Sequence, residues 1–130
     1  MTRLVELLTL RPTVSAITIL VNGVAGVTAK PNDTLVARLT LTCAGAPTVV
    51  GETMRLETSA GALINTGVIT TGSYIDVPFT NPGAGTFSYR AAYAGSAILA
   101  SSISSAITLN NIVSWLPLLA LAGLTYTQLK

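Results

Sequence analysis

Histidine is absent from this chain of 130 residues, cysteine occurs once, and only five residues are aspartate or glutamate. Zinc clusters and cysteine–histidine or serine–histidine pairs need residues that this composition does not supply. A single cysteine also excludes a disulfide within the chain. The sequence therefore predicts no catalytic residues, no metal site and no cofactor, and it indicates a protein that is not an enzyme.

Charge is also scarce, because 9% of the residues are charged and half are hydrophobic. A soluble domain usually carries about 25% charged residues. The seven cations are scattered and the net charge is +2, so nothing predicts a nucleic-acid partner. Residues 91–129 contain no charge at all, which is unusual for a surface that faces water. We expect this part of the chain to be covered by other copies, by other structural subunits or by a membrane.

Residues 1–14, "MTRLVELLTLRPTV", are interpreted as a short N-terminal arm. Leu4 and Leu7 fit one face of a helix, and the same run also fits an extended strand, which Pro12 ends in either case. Glu6 interrupts the apolar run, and no Ala-x-Ala site follows. A cleaved secretory signal is therefore not expected.

Residues 15–109 form short alternating runs with turn residues between them, such as Asn22-Gly23. Seven or so runs with turns every 8–12 residues predict an immunoglobulin-like Greek-key β-sandwich. Because side chains on a strand alternate between faces, the runs "TLVARLTLTC", "ETMRLETS" and "SYIDVPFT" predict inward positions. These positions are Leu35, Ala37, Leu39, Leu41, Cys43, Met54, Leu56, Ile75, Val77 and Phe79.

The runs "SAITILVN…AKPNDTLVARLTLT", "AGAPTVVGETMRLETSAG" and "NPGAGTFSYRAAYAGSA" resemble the bacterial and archaeal immunoglobulin-like (Big-type) domains of surface and virion structural proteins. The third run places Gly85, Phe87 and Tyr89 in the Gly-x-aromatic-x-aromatic pattern of that family. The resemblance covers about 95 of the 130 residues. It implies the β-sandwich fold and an architectural or adhesive role, without catalytic residues. Residues 110–130 depart from the family pattern.

The carboxylates of the sandwich are interpreted as structural. Asp33 is expected to bond its own turn, and no Asp-x-Asp cluster accompanies Asp33 or Asp76 to supply the six to eight oxygens that calcium takes. Glu52 and Glu57 alternate with Arg55 on what the pattern indicates is an exposed strand face. Ion pairing across strands is the role expected of these three residues.

Three other features have a structural and a functional interpretation. Cys43 is expected to be a small buried apolar residue, and no cation nearby in the sequence suggests a reactive thiol. Phe87 and Tyr89 are expected to pack in the core, with a carbohydrate platform as the alternative. Asn32 begins the tripeptide Asn32-Asp33-Thr34, a candidate N-glycosylation site that also arises by chance.

Residues 110–130, "NNIVSWLPLLALAGLTYTQLK", are predicted to form a hydrophobic helix that is apolar on all sides. A helix that begins at Trp115 is about 22 Å long, and one that begins near Asn111 reaches about 28 Å, against a bilayer core of about 30 Å. Membrane insertion of residues 112–129 and burial against neighbouring subunits both remain open. The side chains expected to mediate anchoring or assembly are Trp115, Leu116, Leu118, Leu119, Leu121, Leu124 and Tyr126.

Together these patterns predict a small virion protein, in the capsid or associated with the envelope, that its C-terminal helix anchors in a shell or membrane. The alternative is a tail-anchored module for cell-surface adhesion or for filaments, with an immunoglobulin-like domain that binds a ligand. Both hypotheses place the protein on a virion or a membrane surface.

Overall fold

The structure, a computed structural model, describes residues 10–45 and 48–112. These residues are mainly β and form two sheets. In chain order the strands are β1 (Val14–Val21), β2 (Val24–Ala25), β3 (Thr28–Ala29), β4 (Leu35–Thr42), β5 (Thr53–Thr58), β6 (Leu63–Val68), β7 (Tyr74–Phe79), β8 (Gly85–Tyr93), β9 (Ser102–Ile103) and β10 (Ile107–Asn111).

The first sheet has the strand order β2-β1-β4-β7. Asn22 and Gly23 connect β1 to β2 with positive φ angles of 52° and 87°. Two such residues form the tight turn that suits the twist of a hairpin, and for this reason Asn-Gly is favoured there. Strand β1 then pairs with β4 along its whole length, and β4 pairs with β7, in both cases antiparallel.

The second sheet has the strand order β3-β10-β8-β5-β6, and β9 pairs with β8 beyond the end of β10. Strands β3 and β10 are parallel, whereas the other pairs of this sheet are antiparallel. The chain passes between the two sheets five times, from β2 to β3, from β3 to β4, from β4 to β5, from β6 to β7 and from β7 to β8. Neighbours in the sequence therefore face each other across the core.

The core confirms the predicted alternation of β4 and β5. The inward residues Leu35, Ala37, Leu39 and Leu41 on β4, and Met54 and Leu56 on β5, are at most 2% exposed. On β7, Val77 is buried, while Ile75 and Phe79 are partly buried against the core. Full burial of one leucine stabilises a fold by about 1.5–3 kcal/mol, so these two central strands supply much of the apolar burial.

The C-terminal end of the described chain corrects one expectation. Asn110 and Asn111 belong to β10, where they pair with Thr86 and Gly85, so a helix does not begin at Asn111. Residues 113–130 of the predicted helix, with its seven candidate residues, lie outside the described residues, as do residues 1–9 of the predicted arm. Within the described ranges, no helix has the length and apolar character needed to cross a membrane.

Candidate assembly cleft

A cleft of about 640 Å³ opens at one end of the sandwich, between the edges of β6 and β7. Its volume lies in the range of about 300–1,000 Å³ that is typical of binding pockets. Strand β8 and the chain that leads into it complete the walls. The lining residues are Thr58, Ile64, Asn65, Pro78, Phe79, Thr80, Pro82, Thr86, Phe87, Ser88 and Tyr89.

The register between β5 and β6 explains why this end is open. Asn65 lies opposite Leu56, and Gly67 lies opposite Met54. Directly opposed residues share a face of the sheet, so Asn65 and Gly67 occupy the inward positions of β6. Neither residue supplies the large apolar side chain that would fill the space between the two sheets.

The cleft ends where Gly67 brings the sheets together. A Cβ atom at Gly67 would lie 2.8 Å from Cγ2 of Val77 and 2.9 Å from Cγ1 of Ile75, so only glycine lets β7 approach so closely. Two residues earlier, the side chain of Asn65 spans the gap and donates a hydrogen bond of 2.9 Å to the carbonyl of Pro78.

Aromatic rings line the inner wall of the cleft. The ring centroids of Phe79 and Tyr89 are 5.0 Å apart and the rings are tilted by 58°, a geometry that aromatic pairs favour. Phe87 is partly buried, and its ring covers Gly85, where a Cβ atom would lie 3.1 Å away. Burial raises the pKa of Tyr89. The predicted core packing of these rings is confirmed, although Phe79 and Phe87 also line the opening.

Several polar groups around the cleft have partners within the fold. The hydroxyl oxygen of Thr58 accepts a hydrogen bond from the amide of Ala62, and the hydroxyls of Ser88 and Thr108 bond each other at 3.0 Å. The cleft has no charged side chain among its lining residues. Its free surface is therefore apolar and uncharged.

The outer rim of the cleft is an unguarded strand edge. Leu63, Ile64 and Val68 on β6 are 52%, 36% and 47% exposed, and β6 contains neither charge nor proline. Strand edges are usually protected by such residues, because free backbone groups pair readily with another chain. In the part of the chain that the structure describes, β6 pairs only with β5.

The described chain leaves the fold at the same end as the cleft. Asn110 pairs with Thr86, which lines the cleft, and Asn111 pairs with Gly85. Asn111 is 3% exposed and donates a hydrogen bond of 2.6 Å to the side chain of Asn81. Asn81 in turn donates to backbone carbonyls of the loop before β4, so the exit is held in place.

Glu57 corrects the expectation of an exposed carboxylate, because it is only 5% exposed. Its two oxygens accept hydrogen bonds from Arg55 at 2.8 Å and from Arg90 on β8 at 2.9 Å. The pair with Arg90 joins two strands, as predicted, whereas Arg55 pairs with Glu57 within β5. Desolvation raises the pKa of Glu57, but the hydrogen bonds and charges of the two arginines outweigh it and leave the pKa below its usual value. Glu52 has a different partner, because it accepts a 2.6 Å hydrogen bond from the hydroxyl of Tyr93.

The other described carboxylates are also bonded. Asp76 forms a two-point ion pair with Arg38, whose guanidinium lies 4.4 Å from the ring centre of Tyr74. The hydrogen bond from Arg38 lowers the pKa of Asp76. Asp33 accepts hydrogen bonds from the side chain of Asn22 and from the amide of Lys30, which confirms its turn role and lowers its pKa.

The remaining sequence candidates lie apart from the cleft. Asn32 is exposed in the loop before β4, and its glycosylation stays a prediction. Cys43 is a free thiol that is half-buried against the core rather than fully buried. Residues 10–45 and 48–112 contain no group of three or more acidic, cysteine or histidine residues that could hold a metal ion.

Sequence reasoning missed the cleft. Asn65 and Gly67 are the residues that create it, and they carry no chemical signal of their own. Their importance follows only from the register that turns both of them inward. Comparison of the chain with family models, with curated proteins and with solved structures found no match.

Proposed function

We propose that this protein is a non-enzymatic structural subunit of a virion, in the capsid or associated with the envelope, built on an immunoglobulin-like Greek-key sandwich. Its hydrophobic segment, residues 113–130, anchors it to neighbouring subunits or to lipid. Its partners are other copies of the chain, other structural subunits and a membrane surface. The observation that carries the proposal is an uncharged apolar cleft beside an unguarded strand edge.

The strand order supports the immunoglobulin-like part of the proposal. Strands β1, β4 and β7 on one sheet correspond to strands A, B and E of that fold. Strands β6, β5, β8 and β10 on the other sheet correspond to C′, C, F and G. One fold hosts many unrelated functions, so the strand order supports the immunoglobulin-like fold and leaves the role to be argued from the surface.

The hydrogen bonding of the carboxylates supports a structural role. The four carboxylates in the described ranges all accept hydrogen bonds within the fold. General acid–base catalysis needs a carboxyl group that can reach a substrate. Contiguous apolar surface, in contrast, is typical of protein–protein and membrane contacts. The distribution of polar and apolar groups therefore favours assembly.

The test is the state of the purified full-length protein. We expect sedimentation to show particles or lipid-bound material much larger than a 13.3 kDa chain. A stable monomer without lipid at all accessible concentrations would contradict the proposal.

A filament or adhesion module is the second candidate, and the free edge of β6 favours it. Strand addition along such an edge propagates in one direction and builds a filament rather than a closed particle. Electron microscopy of the assembled material distinguishes the two candidates.

A further inference from the structure

We propose that the cleft is the docking site of the hydrophobic segment of the same chain, residues 113–130. This inference deepens the proposed function and rests on it, because the segment that anchors the assembled protein would occupy the cleft in the free subunit. The partner is therefore a leucine-rich stretch of this chain, uncharged except for Lys130, rather than a small molecule or another protein.

The chain leaves the fold close to the cleft. Ile112 follows Asn111, which pairs with Gly85, and Gly85 is next to the cleft residue Thr86. An extended chain covers about 3.3 Å per residue, so residues 113–116 span about 13 Å. Neighbouring strands are only about 4.8 Å apart, so the first bulky side chains of the segment reach the mouth of the cleft.

The cleft and the segment are chemically complementary. The cleft presents the rings of Phe79 and Tyr89 and has no charged side chain among its lining residues. Residues 113–129 are likewise uncharged, and Leu116, Leu118 and Leu119 follow one another closely. Apolar groups of this kind gain free energy by leaving water together.

The cleft fits other kinds of ligand poorly. A polar small molecule needs convergent donors and acceptors, whereas Thr58, Asn65 and Ser88 already bond groups within the fold. A charged peptide finds no opposite charge among the lining residues. A tethered segment also acts at an effective concentration in the millimolar range, which a separate partner rarely reaches.

Trp115 is the only tryptophan and lies within the proposed docking segment, so its fluorescence reports on the cleft. The full-length wild type is compared with Ile64→Lys, which places a charge at the cleft. The matched control is Val68→Lys, because Val68 is exposed on the same strand but does not line the cleft. Thr86→Arg, on another wall, is a second cleft variant, and circular dichroism shows which variants are folded.

We expect Trp115 in the wild type to emit at short wavelength and to resist quenching by acrylamide over a wide range of dilution. Ile64→Lys and Thr86→Arg should shift the emission to longer wavelength and raise quenching severalfold, whereas Val68→Lys should not. An exposed Trp115 in the wild type, or equal effects of Ile64→Lys and Val68→Lys, would overturn the proposal.

Two further outcomes also overturn it by identifying another occupant. Protection that disappears on dilution would assign the cleft to the segment of a second copy, and protection that needs phosphatidylcholine vesicles would assign the segment to lipid. Sedimentation of the same samples reports separately on assembly. A failure of the cleft proposal is therefore distinguishable from a failure of the proposed function.

Discussion

The two ends of the β6–β7 edge differ in how they close. At one end Gly67 packs directly against Ile75 and Val77, with no room for a single added carbon. At the other end Asn65 makes one hydrogen bond across the gap, and the aromatic rings behind it face an open cleft. The same two strands thus form a packed end and an open end within four residues of each other.

The difference shows that small inward residues have opposite effects in different surroundings. Gly67 closes the sandwich because large side chains from β7 fill the space above it. Asn65 leaves the sandwich open because an amide is polar and short, and the rings of Phe79 and Tyr89 stay on the far side. Interiors are otherwise close-packed, so an open apolar end indicates a contact site.

We expect the largest loss of stability when a side chain of the packed interior is removed, and a smaller loss when a side chain of the cleft is removed. Leu39→Ala removes a fully buried side chain and should lower the free energy of unfolding by about 2–5 kcal/mol. Phe87→Ala should cost less than about 3 kcal/mol, because Phe87 is only partly buried. Urea denaturation of both variants measures the difference. A greater loss at Phe87 would mean that the cleft is part of the core.

The packed end is tested by Gly67→Ala. The added Cβ atom must displace Val77 and Ile75, so we expect a loss of about 1–3 kcal/mol. Gly26→Ala is the matched control, because nothing lies closer than 4.0 Å to a Cβ atom there. Thermal unfolding of the two variants gives the comparison, and equal stabilities would refute tight closure at Gly67.

Removal of the buried carboxylate Glu57 should lower stability by a similar amount, and this loss should depend on pH. Glu57→Gln should lower the free energy of unfolding near pH 7 by about 1–3 kcal/mol, the value of hydrogen bonds to a charged group. The pKa of Glu57 is lowered in the folded state, so its stabilisation is present above the unfolded pKa of about 4.3 and is lost as pH falls through the folded pKa.

The wild type should therefore lose stability from about pH 5 downward, and Glu57→Gln should lose less over the same interval. Chemical denaturation at a series of pH values tests this. Parallel curves for the two proteins would show that Glu57 does not contribute in the way its position indicates.

We expect the smallest change in stability when the exposed ion pair on the outer face of the first sheet is broken. Arg38 and Asp76 are 41% and 39% exposed, and exposed ion pairs contribute about 0–1 kcal/mol. Asp76→Asn should therefore change stability by less than about 1 kcal/mol, and salt should reduce the difference. If Asp76→Asn lost as much stability as Glu57→Gln, the exposed ion pair would contribute as much as the buried one, which would contradict this prediction.

Much of the fold was predictable because alternation reports directly on burial. The run from Leu35 to Leu41 defines β4 and its inward face, and the inward residues Met54 and Leu56 of β5 follow in the same way. Strands β2, β3 and β9 contain two residues each, too few to show a period. The pairing of β3 with β10 joins distant parts of the chain, which no local pattern indicates.

The candidate site was less predictable, since it depends on register. Asn65 turns inward because it lies opposite Leu56. The register of the β5–β6 pairing shifts between Leu56 and Glu57, so the alternation of facing residues changes beyond that point. The burial of Glu57 depends on Arg90, which lies thirty-three residues away in the sequence. A single sequence shows neither relation.

The most direct test of the central claim is whether residues 113–130 drive assembly. Sedimentation and lipid flotation of the full-length chain are compared with those of Leu119→Arg, with Val24→Arg on the exposed sandwich surface as the control. A charge at the centre of an inserted helix costs about 2.5–3.5 kcal/mol. We predict that Leu119→Arg abolishes association with particles and vesicles, while Val24→Arg retains it. Unchanged association of Leu119→Arg would contradict the account and would assign assembly to the sandwich alone.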